Sequence, residues 1–173
     1  ATVMPVALFT PGSIKGRNVI VLANVERLRP EILSALNAFV GSGGGLLILV
    51  GDRTATDFAP GADWLPATLS PTVGESDKRS AVAHPEPRSF IGPALAPLGA
   101  GDAPLLGEAD MFSFHKLKLY AQSSVLARLD SGDPWIVERT HGKGRVILTA
   151  TAFDAEGGTL PVNPDFVPLV HEL

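Results

Sequence analysis

Two glycine-rich stretches, four histidines, an acidic turn and a few carboxylates are the places where this 173-residue chain could do chemistry. Gly41-Ser42-Gly43-Gly44-Gly45 has the composition of a phosphate cradle, but such loops follow a strand and open a helix. Here the glycines follow a helical pattern and precede a strand pattern, the order of a helix C-cap. Gly142-Lys143-Gly144 lacks both the upstream glycine of a Walker sequence and the Ser or Thr after the lysine, and it is predicted to be a hairpin turn. Asp130-Ser131-Gly132-Asp133 resembles a metal-binding Asp-x-Ser-x-Ser without its second serine. Pro134 follows at once, and turn chemistry accounts for the composition. His84, His115, His141 and His171 have no zinc-ligand spacing. No serine sits in a Gly-x-Ser-x-Gly elbow, and the absence of cysteine excludes disulfides, thiolate metal sites and thiol nucleophiles. No catalytic residue, metal site or cofactor is assigned.

What remains is positional and depends on the elements that carry it. Val19–Ala23 is a continuous aliphatic run, expected of a strand covered on both faces. Pro30 suits a first helical turn, and Ile32, Leu33, Leu36, Phe39 and Val40 recur at helical spacing behind it. Leu46–Val50 is a second apolar strand, so the three form a right-handed βαβ unit. This spacing places Phe39 on the buried face of the helix and Asn37 on the other. Ligands of open α/β sheets bind beyond the carboxyl ends of parallel strands, which singles out Asn24 after the first strand and Asp52 and Arg53 after the second. If Arg145–Ala150 runs parallel to them, Asp154 and Glu156 join that edge. Asp52 and Arg53 are expected to pair with each other, which leaves the guanidinium without a ligand.

Elsewhere Pro and Gly interrupt the pattern from Thr54 to Gly107, where short strands are expected at Ala67–Val73 and Ser80–Ala83. Met111–Tyr120, Val125–Leu129, Trp135–Arg139 and Arg145–Ala150 read as strands joined by turns, and a helix is expected from about Asn163 to the end.

Composition sets the frame. Hydrophobic residues make up 45% and charged residues 18% of the chain, a globular balance consistent with one domain over residues 1–173. A net charge of −4 with scattered Lys and Arg gives no footprint for nucleic acid. No apolar stretch is long enough to span a bilayer. The chain starts without Met and ends at Leu173 inside a helical pattern, so it is expected to be a fragment of a larger protein.

Three stretches carry a family resemblance: Asn18–Val25 through Leu36–Val40 and the glycines to Leu46–Asp52; Val125–Asp130 through Gly142–Leu148; and Leu160–His171. In order and spacing they resemble the class I glutamine-amidotransferase-like domain of bacterial membrane proteins. Those proteins have an aerotolerance-regulator-type N-terminal membrane region, often with a von Willebrand factor A domain. The resemblance implies an α/β, flavodoxin-like three-layer sandwich, with a largely parallel central sheet and an antiparallel or mixed C-terminal part. Active members carry Gly-x-Cys-x-Gly at a nucleophile elbow and a later His-x-Glu. The equivalent elbow here is Gly51-Asp52-Arg53, without cysteine, so glutamine chemistry is not expected. His84-Pro85-Glu86 matches the dyad in letters, but it lies too early in the chain and is taken as coincidence. The implied role is a non-catalytic interaction or sensing domain of a membrane-anchored, extracytoplasmic protein, with partner domains or proteins as binding partners. The alternatives are a hydrolase or carbohydrate-acting enzyme using Asp52, Asp154 or Glu156, and a structural spacer.

Overall fold

A computed structural model describes residues 2–100 and 105–173. Its centre is a six-stranded sheet in the order β1 (Val19–Ala23), β2 (Gly45–Leu49), β8 (Gly144–Thr149), β7 (Pro134–His141), β6 (Ser124–Leu129), β4 (Pro85–Glu86). β1, β2 and β8 are parallel, with Ala23, Leu49 and Thr149 level at their carboxyl ends. β7, β6 and β4 continue the sheet in antiparallel pairings. A separate antiparallel pair joins β3 (Ala67–Gly74) to β5 (Ser113–Leu119).

This corrects the flavodoxin-like expectation. Two of the five pairings in the main sheet are parallel and three are antiparallel. Only one crossover helix of ordinary length is present among the described residues, α1 (Pro30–Gly41). It buries Ile32, Leu33, Leu36 and Val40 against Ile20, Leu22, Leu46, Ile48, Val146 and Leu148. The opposite face of the sheet is covered by short pieces: α2 (Gly92–Leu95), α3 (Phe166–Glu172), 3-10 turns and β5, around Trp135, Ile136 and Ile147. The physical reason is chain economy. Hairpins at Asp130–Asp133 and Gly142–Lys143 return the chain at once, and a strand that turns straight back must pair antiparallel without a crossover helix.

Three local expectations also change. β1 is an edge strand bare on one face, with Val19 and Val21 62% and 53% exposed, since an aliphatic run alone does not say how many faces are covered. Ser80–Ala83 forms no strand and contributes only a bridge from Ala83 to Met111. α3 starts at Phe166, because the Asn163 side chain accepts the Asp165 N–H in a turn that holds the preceding residues out of the helix.

The two glycine-rich motifs meet at the amino ends of the parallel strands. The Lys143 N–H donates to Gly41 O (3.1 Å) and the Arg145 N–H to Gly44 O (3.3 Å). A Cβ on Gly142, whose φ is +59°, would stand 2.5 Å from Gly41 O, so backbone passes against backbone there. Close packing of the hairpin on the end of α1 explains both motifs.

Candidate functional site

The carboxyl ends of β1, β2 and β8 form one edge of the sheet, and antiparallel pairing brings the β6–β7 turn and the start of β4 to the same edge. Ile136 lies opposite Thr149, and Pro85 lies opposite Leu129. Asn24, Asp52 and Arg53 gather at one end of this edge. The Asn24 backbone is left-handed (φ 49°), a conformation that Asn tolerates better than most residues. Its N–H donates to Leu49 O (2.8 Å), its side-chain amide donates to Asp52 Oδ1 (2.8 Å), and its Oδ1 accepts the Arg53 N–H (3.0 Å). Gly51 is required beneath it, because a Cβ there would lie 2.6 Å from Asn24 Cγ.

The expected Asp52–Arg53 pair does not form. Asp52 is held by Asn24 instead, and among the described residues no carboxylate lies within 4.0 Å of the Arg53 guanidinium. Adjacent residues after a strand leave in different directions, whereas Asn24 on the neighbouring strand faces Asp52 across the register. Asp154 and Glu156 belong to a separate loop after β8. Asp154 Oδ1 accepts the N–H groups of Glu156 (3.1 Å) and Gly157 (2.8 Å), so that carboxylate closes its own turn. No hydrogen bond connects this pair to the Asn24 cluster among the described residues.

Two histidines set aside on sequence grounds, His115 and His84, occupy the edge. His115 is buried, with Nε2 3.2 Å from Gly51 O and Nδ1 3.2 Å from Ser70 O, which ties β5 to the loop after β2. Thr54 completes that loop: its N–H donates to Gly51 O and its Oγ1 accepts the Gly51 N–H, each at 3.0 Å. His84 lies between two carboxylates, Nδ1 3.1 Å from Asp130 Oδ2 and Nε2 3.1 Å from Asp110 Oδ1. Burial alone would push the Asp130 carboxyl up. The His84 backbone N–H, the His84 ring with its charge, and the Ser131 N–H together outweigh burial and hold it below the usual aspartate range. Glu86 does not join His84, and instead accepts the Arg88 N–H (3.2 Å). Ser131, next to Asp130 in sequence, donates to Asp133 (3.0 Å) rather than to the histidine. The sequence signals for this cluster were the Asp130–Asp133 turn and the His-Pro-Glu triplet, which named the wrong acid, because Asp110 and Asp130 reach His84 through the strand order.

A cavity of about 650 Å³ opens at the opposite edge, between residues 11–18 and the second half of α1, with Lys15, Arg17 and Phe39 in its wall. It is remote in topology from all five candidate residues.

No family profile and no curated protein matches the sequence. Solved structures do. A cytoplasmic protein of Salmonella typhimurium superposes over 96% of this chain and 75% of its own, with a TM-score of 0.72 at 14% identity. A second cytoplasmic protein, from Salmonella typhimurium LT2, superposes over 94% and 70%, with a TM-score of 0.66 at 19% identity. A GH42 β-galactosidase from G. stearothermophilus is matched over 89% of this chain but only 20% of the enzyme, with a TM-score of 0.56 at 13% identity. At these identities the likeness is one of fold. The chain is a mixed α/β domain of a recurrent architecture, and no helix among the described residues is long and apolar enough to cross a membrane.

Proposed function

We propose that this chain is a non-catalytic interaction domain. One observation carries it: the Asp52 and Asp154 carboxylates and the His84 ring at the carboxyl edge each have a protein partner, while the Arg53 guanidinium alone has no carboxylate beside it among the described residues. Asp52 is bound by Asn24, Asp154 by its own turn, and His84 by Asp110 and Asp130. Among the described residues every buried polar side-chain atom has a hydrogen-bond partner. Catalytic carboxylates must face a substrate across a gap of roughly 5–10 Å, and a nucleophile must lie within reach of its base. Among the described residues no hydroxyl is hydrogen-bonded to His84, and the Asp154 carboxylate is turned onto the N–H groups of Glu156 and Gly157, which favours the non-catalytic reading over an enzyme built on Asp52, Asp154 or Glu156. The β-galactosidase likeness covers a fifth of that enzyme and lends no activity to this chain. Placement in a membrane-anchored, extracytoplasmic protein rests on the family resemblance alone, and the cytoplasmic neighbours do not add to it.

The test is turnover. The purified protein should release no ammonia from glutamine and no sugar from aryl glycosides above a heat-inactivated control. Turnover that disappears in Asp52→Asn or His84→Ala would return the edge to the enzymes.

A further inference from the structure

We propose that β1 is a self-association edge, through which two copies of this chain join antiparallel about a two-fold axis into one continuous sheet. This rests on the interaction-domain reading but names its partner as a second copy. β1 is the end strand and, among the described residues, pairs only with β2. The Gly45 N–H donates to Asn18 O and the Asn24 N–H to Leu49 O, so the even-numbered residues face β2. The N–H and C=O groups of Val19, Val21 and Ala23 therefore point outward.

Native edge strands are usually blunted by Lys, Pro, a bulge or a covering segment. Here the outward residues are Val, Val and Ala, all exposed, and the β1–β2 register is unbroken. A two-fold axis through Val21 places Val21 opposite its symmetry mate and Val19 opposite Ala23 of the second copy. In that register every outward N–H meets an outward C=O, and the exposed valines cover one another.

The ends of the strand agree in charge. Lys15 and Arg17 precede β1, and neither has a carboxylate within 4.0 Å among the described residues. Glu26 and Asp52 lie past its carboxyl end, offset in part by Arg53, and neither acid is in an ion pair among the described residues. Antiparallel pairing sets the basic end of one copy against the acidic end of the other, twice by symmetry.

Three measurements decide it. Sedimentation of the wild-type protein should show a concentration-dependent dimer, and Val21→Pro, which removes an outward N–H that β2 does not use, should be monomeric with an unchanged circular dichroism spectrum. The absence of native cysteine makes cross-linking site-specific. Under mild oxidation Val21→Cys should become mostly disulfide-linked dimer, since paired Cα atoms lie about 5.5 Å apart. Val19→Cys should not, because its mate is about 13 Å away along the strand. Arg17→Glu and Glu26→Arg should each weaken the dimer, and mixing them should restore it as a heterodimer. A wild-type monomer up to about 1 mM, a Val21→Pro dimer, equal cross-linking at positions 19 and 21, or no recovery on mixing would each overturn the proposal. All four outcomes leave the absence of turnover untouched, so failure here is separable from failure of the non-catalytic reading.

Discussion

At Asn24 one side chain satisfies two neighbours while its backbone stays left-handed, so the two contributions can be separated. Asn24→Gly keeps access to that backbone conformation but loses the bonds to Asp52 and the Arg53 N–H. Asn24→Ala loses the bonds and adds strain. We expect denaturation midpoints in the order wild type, Gly, Ala, with the alanine variant down by about 1–3 kcal/mol. Equal midpoints for all three would mean that the cluster contributes nothing to stability. Asp130 gives a test in pH. Its folded pKa lies below the ordinary aspartate value, so its contribution is present in full above about pH 4 and is lost as pH falls through the lower folded value. Asp130→Asn should therefore be less stable than wild type near neutrality and should lose less stability on acidification, as read from urea midpoints across pH. Parallel pH curves for the two proteins would remove His84 as the cause.

For the elements, the expectation for α1 needs two revisions. Leu36 is fully buried, but Phe39 is only half-buried, its ring lying over Gly44, and Asn37 Oδ1 is 2.6 Å from His141 Nε2. Asn37, though on the outer face, thus joins α1 to the end of β7. Leu36→Ala should cost about 2–5 kcal/mol, whereas Ser34→Ala, at an exposed position, should stay within about 0.5 kcal/mol of wild type. Equal midpoints would place the buried face of α1 wrongly. Helical spacing identified the face correctly for Leu36 but could not foresee that the last turn of α1 is overlaid by a hairpin about a hundred residues away.

Across the whole molecule, charge and cover are distributed unevenly along the sheet. The carboxyl edge carries a set of polar groups bound to each other. The opposite edge is closed by glycine backbone against glycine backbone and carries Lys15 and Arg17 beside the cavity. The bare strand lies between these ends on one flank. The open strand is the element through which the proposed dimer would form. If the dimer forms, the thermal midpoint should rise with protein concentration in wild type and stay constant in Val21→Pro.

Val19–Ala23, Pro30–Gly41 and the strand after the glycines were legible in sequence because aliphatic runs and three- and four-residue spacing reflect local burial. The hairpin turns were legible because Gly, Asp and Pro select backbone conformations within a few residues. The absence of thiol chemistry followed from composition alone. Strand order did not: an apolar run reads alike at the centre of a sheet and at its rim, so only the tertiary structure showed β1 bare and β8 inserted between β2 and β7. The same holds for the polar groups. Residue type marked Asn24, Asp52, Arg53, Asp154 and Glu156 as able to bind, but which partner each meets is set by register across strands distant in sequence. That register gave Asp52 to Asn24 and brought Asp110 and Asp130 to His84, whereas Asp154 is taken up locally by the N–H groups of Glu156 and Gly157 in its own turn.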